Sequence, residues 1–129
     1  MSGDAAMVFL FDALHRTLMV RTRAGDHWMP PGGHIEHHDA SGAHAACREV
    51  AEELNITCQP TDLRELGRCR KDLDDGTLTL YENRTVITST IHPTYEVLEA
   101  SWVPLTACSS LSMLPATRYG LSLLGPGTR

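Results

Sequence analysis

Glu49, Glu52 and Glu53 are spaced so that a helix would set Glu49 beside both of the others on one side of a single turn. Each like-charged pair costs an isolated helix roughly 0.2 to 0.5 kcal/mol, and the cluster sits toward the carboxyl end, where the helix dipole already disfavours anions. With no run of Lys or Arg on the same face, a cation from outside is what would offset the repulsion. An all-oxygen donor set suits Mg²⁺ or Mn²⁺ better than Zn²⁺, which prefers Cys and His in a tetrahedral set. Such ions let an acidic protein hold a polyphosphate, lower the pKa of a bound water and stabilise charge on phosphorus, so these residues fit hydrolysis of a phosphate-bearing substrate. A solvated acidic helix face is the alternative that requires no ligand.

Other residues compete for attention. His34, His37, His38 and His44 fall close together, yet the string His34-Ile35-Glu36-His37-His38 has neither of the common zinc-hydrolase spacings. Solvated loop histidines are the expectation, with His34 near enough to the preceding glycines to touch a phosphate. Trp28, Tyr81 and Phe9 are the flat apolar groups on which a base could stack. Trp28, beside the glycine loop, is the one expected at substrate, and Phe9 is expected in the core. Cys47 reads as a small core residue without an activating partner.

Composition narrows the classes. The chain has 129 residues with 11 Lys and Arg against 16 Asp and Glu, a net charge of −5. An acidic surface is a poor grip for duplex nucleic acid. Four cysteines lie far apart with no Cys-x-x-Cys pair, and neither a signal-like amino terminus nor a long apolar run is seen. A reduced cytoplasmic protein without a membrane partner fits best. The length predicts one domain, residues 1–129, with a core of its own.

The elements that must position the acids follow from periodicity. Ala5 to Asp12 reads as a buried strand, Ala13 to Arg16 as a turn, and Thr17 to Arg23 as a second strand. Gly25 to Gly33, with Pro30-Pro31-Gly32-Gly33, is expected to be loop. Ala43, Cys47, Val50 and Leu54 line one face of a helix from about Ser41 to Leu54, and Asn55 is suited to a left-handed cap. Leu63 to Lys71 and Thr77 to Ile91 are expected strands around an Asp74-Asp75-Gly76 turn, followed by a strand from Glu99 to Val103 and a helix from Leu114 to Leu124. The coarse picture is a mixed sheet flanked by two helices.

Read together, Gly33, Asp39, Arg48-Glu49-Val50, Glu52-Glu53 and Ile56 resemble the signature of the Nudix hydrolases, whose pattern is Gly, five residues, Glu, seven residues, Arg-Glu-apolar, one residue, Glu-Glu, one residue, Gly-apolar. The lead-in Trp28-Met29-Pro30-Pro31-Gly32-Gly33-His34-Ile35-Glu36 is similar to the loop that precedes it, and Trp102-Val103-Pro104-Leu105 agrees weakly. About a fifth of the chain carries the strong match.

Three positions depart from the pattern. Asp39 replaces Glu, eight residues rather than seven separate it from Arg48, and Asn55 stands where Gly is usual. The extra residue either brings the shorter Asp39 side chain back to Arg48 or leaves that contact unmade.

The resemblance implies an α/β fold, an α/β/α sandwich with a mixed sheet between helices. It also implies metal-dependent hydrolysis of a nucleoside diphosphate linked to another moiety. A nucleoside triphosphate or modified deoxynucleotide is favoured as the small-molecule substrate. Glu52 and Glu53 are then metal ligands, Glu49 a third ligand or the base that takes a proton from water, and the carbonyl of Gly32 a further ligand. Arg48 would orient the acids, Gly33 and His34 would lie at substrate, and Asp39 and Asn55 would be structural. Glu36 is expected to stabilise the loop, with Glu96 or Glu99 completing the acid set. A homodimer is left open. Two rival readings remain: a Nudix-fold binding or regulatory module with weak or no catalysis, and a zinc hydrolase built on the histidines.

Overall fold

The computed structural model describes residues 3–23, 25–72 and 75–124. Strand β1 (Ala5–Phe9) runs through the middle of a four-stranded mixed sheet. It pairs antiparallel with β3 (Gly32–His34) and parallel with β5 (Thr77–Asn83), which in turn pairs antiparallel with β4 (Leu63–Arg70). Both faces of β1 are covered, which explains its almost unbroken apolar run. Ala6 and Val8 point into one core with Ala46, Val50 and Leu54, and Ala5 and Phe9 point into another with Leu80, Ala116 and Leu124. The first core lies under helix α1 (Gly42–Leu54) and the second under helix α2 (Pro115–Leu124). This is the expected α/β/α sandwich, with a difference: β2 (Arg16–Thr22) and β6 (Val97–Pro104) form a separate antiparallel pair instead of extending the mixed sheet.

Two expectations need correction. Gly32 and Gly33 are not in a loop, because β3 forms an edge ladder with Ala5–Met7; glycine keeps the N–H that the two preceding prolines lack. The strand expected over 77–91 stops at Asn83. There the Asn83 side chain donates to the Thr85 carbonyl (2.8 Å) and the Arg84 N–H to the Asp62 carbonyl (3.0 Å), so the Thr- and Ile-rich remainder crosses the fold as irregular chain. Short 3₁₀ turns at Pro60–Asp62 and Leu105–Ser110 have no counterpart in the periodicity. The β4–β5 hairpin is as expected and closes with the Lys71 N–H on the Gly76 carbonyl (3.1 Å), although Asp74 lies outside the described residues.

Helix α1 begins and ends where its cap residues predict. The Ser41 hydroxyl accepts the His44 N–H at 3.2 Å, and Asn55 adopts the left-handed conformation (φ 58°, ψ 35°) with its N–H on the Ala51 carbonyl. The Asn55 side chain also donates to the His92 carbonyl at 2.7 Å. The N–H groups of His92 and Thr94 donate to the last carbonyls of the helix, on Leu54 (3.0 Å) and Glu53 (2.8 Å). The segment leading to Glu96 is thereby fastened to the end of α1. No helix among the described residues is long and apolar enough to cross a membrane.

Candidate active site

Arg48 is the hub of the acidic turn. Its Nε and Nη2 donate to the two Asp39 oxygens at 3.0 and 2.9 Å, a parallel bidentate pair. Nη2 also donates to the His34 carbonyl (3.0 Å), and Nη1 to Glu52 (3.1 Å) and Glu49 (3.3 Å). The Asp39 side chain is 4 % exposed, and its carboxylate also accepts the Glu36 N–H at 2.8 Å. Hydrogen bonds from Arg48 and then from Glu36 hold its pKa down at about 2. The extra residue in the loop therefore does bring Asp39 back to Arg48. Asp39 in turn holds the Arg48 guanidinium well above its ordinary pKa.

Glu53 stands apart from this network. It is 7 % exposed, and its Oε1 is buried with no hydrogen-bond partner. Burial first, then the charges of Glu49 and Glu96, push its carboxyl up to about 8, against a smaller opposing effect of the Gly32 N–H. Burial likewise raises Glu49, which Arg48 only partly counters. Arg48 thus neutralises some of the charge that the sequence left unbalanced, and burial keeps Glu53 protonated up to about pH 8. An orphaned buried carboxylate oxygen with further acids around it could donate to a hard divalent cation. Among the described residues no three His, Cys, Asp or Glu side chains form a ready-made metal cage. Glu49 and Glu52 are turned toward Arg48, and the Glu52 side chain is 59 % exposed.

Strand β3 joins the acids to a cavity. A Cβ on Gly33 would fall 2.5 Å from the Glu49 carboxylate, and one on Gly32 would fall 2.1 Å from the Ala6 carbonyl, so neither position has room for a side chain. His34, the next residue, lines a cavity of about 330 Å³ together with Met7, Trp28, Met29, Lys71 and Asp72. The Trp28 loop is held there by paired N–H to carbonyl bonds between Val20 and Met29 (2.8 and 2.9 Å) and by the Trp28 N–H on the Ser112 carbonyl (2.8 Å). Asp72 accepts the Ala116 N–H at 3.1 Å and so fixes the start of α2 against the same wall.

The predicted residues thus divide. Arg48, Glu49, Glu52, Glu53, Asp39, Gly32 and Gly33 come together, and Trp28 and His34 lie in the adjoining cavity. Of the two later acids, Glu96 acts on both Glu49 and Glu53, whereas Glu99 is taken by Arg21 (Nε to Oε1, 2.9 Å). Glu36 reaches Asp39 only through its backbone N–H, and its carboxylate lies 3.6 Å from His38 and 4.0 Å from Arg48. Phe9 is wholly buried, and Tyr81 packs beneath Gly42 at the start of α1, so neither offers a platform for a base. The histidines do not share one point: His44 meets the Ser41 hydroxyl (2.8 Å), His38 lies 3.6 Å from Glu36, and the His37 and His38 rings meet edge to face. Met7, Lys71 and Asp72 in the cavity escaped sequence reasoning, because they come from separate segments without shared spacing.

Comparison with known proteins adds a family. A model described as NUDIX domain matches residues 1–122. No curated protein sequence matches. Among solved structures, the MutT protein of Methanosarcina mazei superposes with a TM-score of 0.77 at 21 % identity, over 92 % of this chain and 88 % of that one. The dihydroneopterin triphosphate pyrophosphohydrolase of E. coli gives 0.76 at 20 % identity, over 92 % of each chain. The NUDIX domain of Shewanella oneidensis NrtR, complexed with ADP ribose, gives 0.78 at 15 % identity, over 95 % of this chain and 86 % of that one. At these identities the superpositions show the fold.

Proposed function

Because this chain belongs to the Nudix family, we propose that it is a hydrolase of a nucleoside diphosphate linked to another group, with water attacking phosphorus. The observation that carries this reading is Glu53, a carboxylate kept out of solvent with an unpartnered oxygen and a pKa near 8 among other acids. Glu49, Glu52 and Glu53, with the carbonyl of Gly32, would hold Mg²⁺ or Mn²⁺. When bound, the ion supplies positive charge to phosphate oxygens and acidifies the attacking water. Arg48, anchored on Asp39, keeps Glu49 and Glu52 in place. Glu49 has two roles open to it, metal ligand and acceptor of the water proton, which its pH–rate profile separates.

The cavity supports a nucleoside triphosphate or modified deoxynucleotide. Its 330 Å³ suits one base beside Trp28, and with the base there the single step along β3 from His34 to Gly33 would bring the phosphates next to the helix acids. A non-catalytic binding module would be favoured by an Arg48 left without Asp39 across the inserted residue; the bidentate Arg48–Asp39 pair supports the hydrolase instead. We read the chain as a cytoplasmic protein on its unpaired cysteines. A nucleotide panel assayed for metal-dependent release of phosphate or pyrophosphate tests the function. Nucleotide binding with no release across the panel would favour the rival.

A further inference from the structure

Helix α1 places Cys47 on its buried face, and the left-handed turn at Asn55 sends the chain back beside the helix, so that Cys58 returns to Cys47. The two sulfurs are 3.0 Å apart, the Cys58 thiol donating to Cys47, against about 2.05 Å in a disulfide bond. The other two cysteines are spent elsewhere: Cys69 packs toward α2, and Cys108 is buried with its thiol on the Pro104 carbonyl at 3.6 Å. Cys58 is the accessible member of the pair. It is half-buried and lines a polar cavity of about 210 Å³ with Gln59, Asp62, Asn83 and Thr85, on a different part of the surface from Trp28 and His34.

We propose that Cys47 and Cys58 are an oxidisable pair that forms an intramolecular disulfide, stapling the helix that carries Arg48 and the three glutamates to the segment that follows it. A peroxide entering from the polar cavity converts the Cys58 thiol to a sulfenic acid with release of one water. The Cys47 sulfur then attacks that sulfenic sulfur, forming the S–S bond and expelling a second water. Two thiols lose two electrons and two protons in all, and one peroxide is reduced to two waters. The link closes a short loop within one core and limits the unfolded chain, so the oxidised protein is the more heat-stable form.

The test treats the full chain with stoichiometric hydrogen peroxide, then counts free thiols, maps disulfide peptides by mass and records the melting temperature before and after dithiothreitol. Two of the four thiols disappear, the Cys47 and Cys58 peptides are found joined, and Tm rises by about 5 °C or more and falls back on reduction. Cys58→Ser, a change at a half-exposed position, keeps all of its remaining thiols and shows no dithiothreitol-reversible shift. Retention of all four thiols in the wild type would overturn the proposal. So would a bond that involves Cys69, Cys108 or a second chain.

Discussion

Arg48 and Asp39 face each other as two planar groups, joined by Nε to Oδ1 at 3.0 Å and Nη2 to Oδ2 at 2.9 Å. This pair spans the inserted residue and ties the loop after β3 to the turn of α1 that bears the glutamates. Asp39→Asn keeps the shape but removes the charge and one acceptor. It is expected to lower turnover by about 10-fold through misplaced Glu49 and Glu52, with KM little changed. Arg48→Lys is expected to do no better, because an ammonium cannot make the parallel pair.

The same pair sets an acid limit. With Asp39 held at about 2 in the folded protein against an ordinary 3.8, its stabilising effect is complete above about 3.8 and is lost as pH falls toward 2. Thermal melts of the wild type should drop through that window. Asp39→Asn melts should fall less steeply there; equal slopes would remove Asp39 as the cause.

Glu53 carries the opposite sign. Its carboxyl titrates at about 8 when folded and at 4.5 by ordinary chemistry, so the unfolded chain sheds the proton first and stability declines as pH rises from 4.5 to 8. Glu53→Gln is expected to stabilise the metal-free protein at pH 8 by on the order of 1 to 3 kcal/mol. It is also expected to cut turnover at least ~100-fold. Urea melts with chelator present, beside a turnover assay, check both halves.

How much of this was legible in the sequence depended on distance along the chain. Ser41, the apolar spacing of Ala43 to Leu54, and Asn55 specify α1 through neighbours no more than four residues apart, and the structure places the helix within a residue of that reading. The acids were legible for the same reason. Ladder partners were not: nothing near Gly32 announces that Ala6 and Met7 will pair with it, and nothing in Thr85 to Ile91 announces that Asn83 turns the chain away from β5. The cavity around Trp28 and the meeting of Cys47 with Cys58 are likewise products of tertiary packing. Asn55 shows both sides, since its backbone role could be read locally while its bond to the His92 carbonyl could not.

Gly33 faces the Glu49 carboxylate so closely that a methyl group would lie 2.5 Å from it. Gly33→Ala is therefore expected to displace Glu49 and reduce turnover by about 10- to 100-fold. The fold should survive, because the obstacle is the end of a side chain. Circular dichroism unchanged from wild type, together with the activity loss, is the expected result; undiminished turnover would mean that Glu49 works equally well elsewhere.

Trp28 lines the cavity through a loop pinned at Val20 and Ser112. Trp28→Ala should raise KM for the preferred nucleotide by about 10-fold while kcat changes less, since a base held by stacking contributes alike to ground and transition states. A fall in kcat alone would place Trp28 nearer the phosphates than the base.

Uptake of a divalent cation by Glu53 and its neighbours is tested most directly by calorimetric titration of the wild type and Glu53→Gln with Mn²⁺ at pH 7, in two buffers of different ionisation heat. The expected result is binding by the wild type with release of a proton from Glu53, and binding at least ~10-fold weaker with no such release in the variant. Equal affinity and equal proton release in the two proteins, or no binding by the wild type, would contradict it.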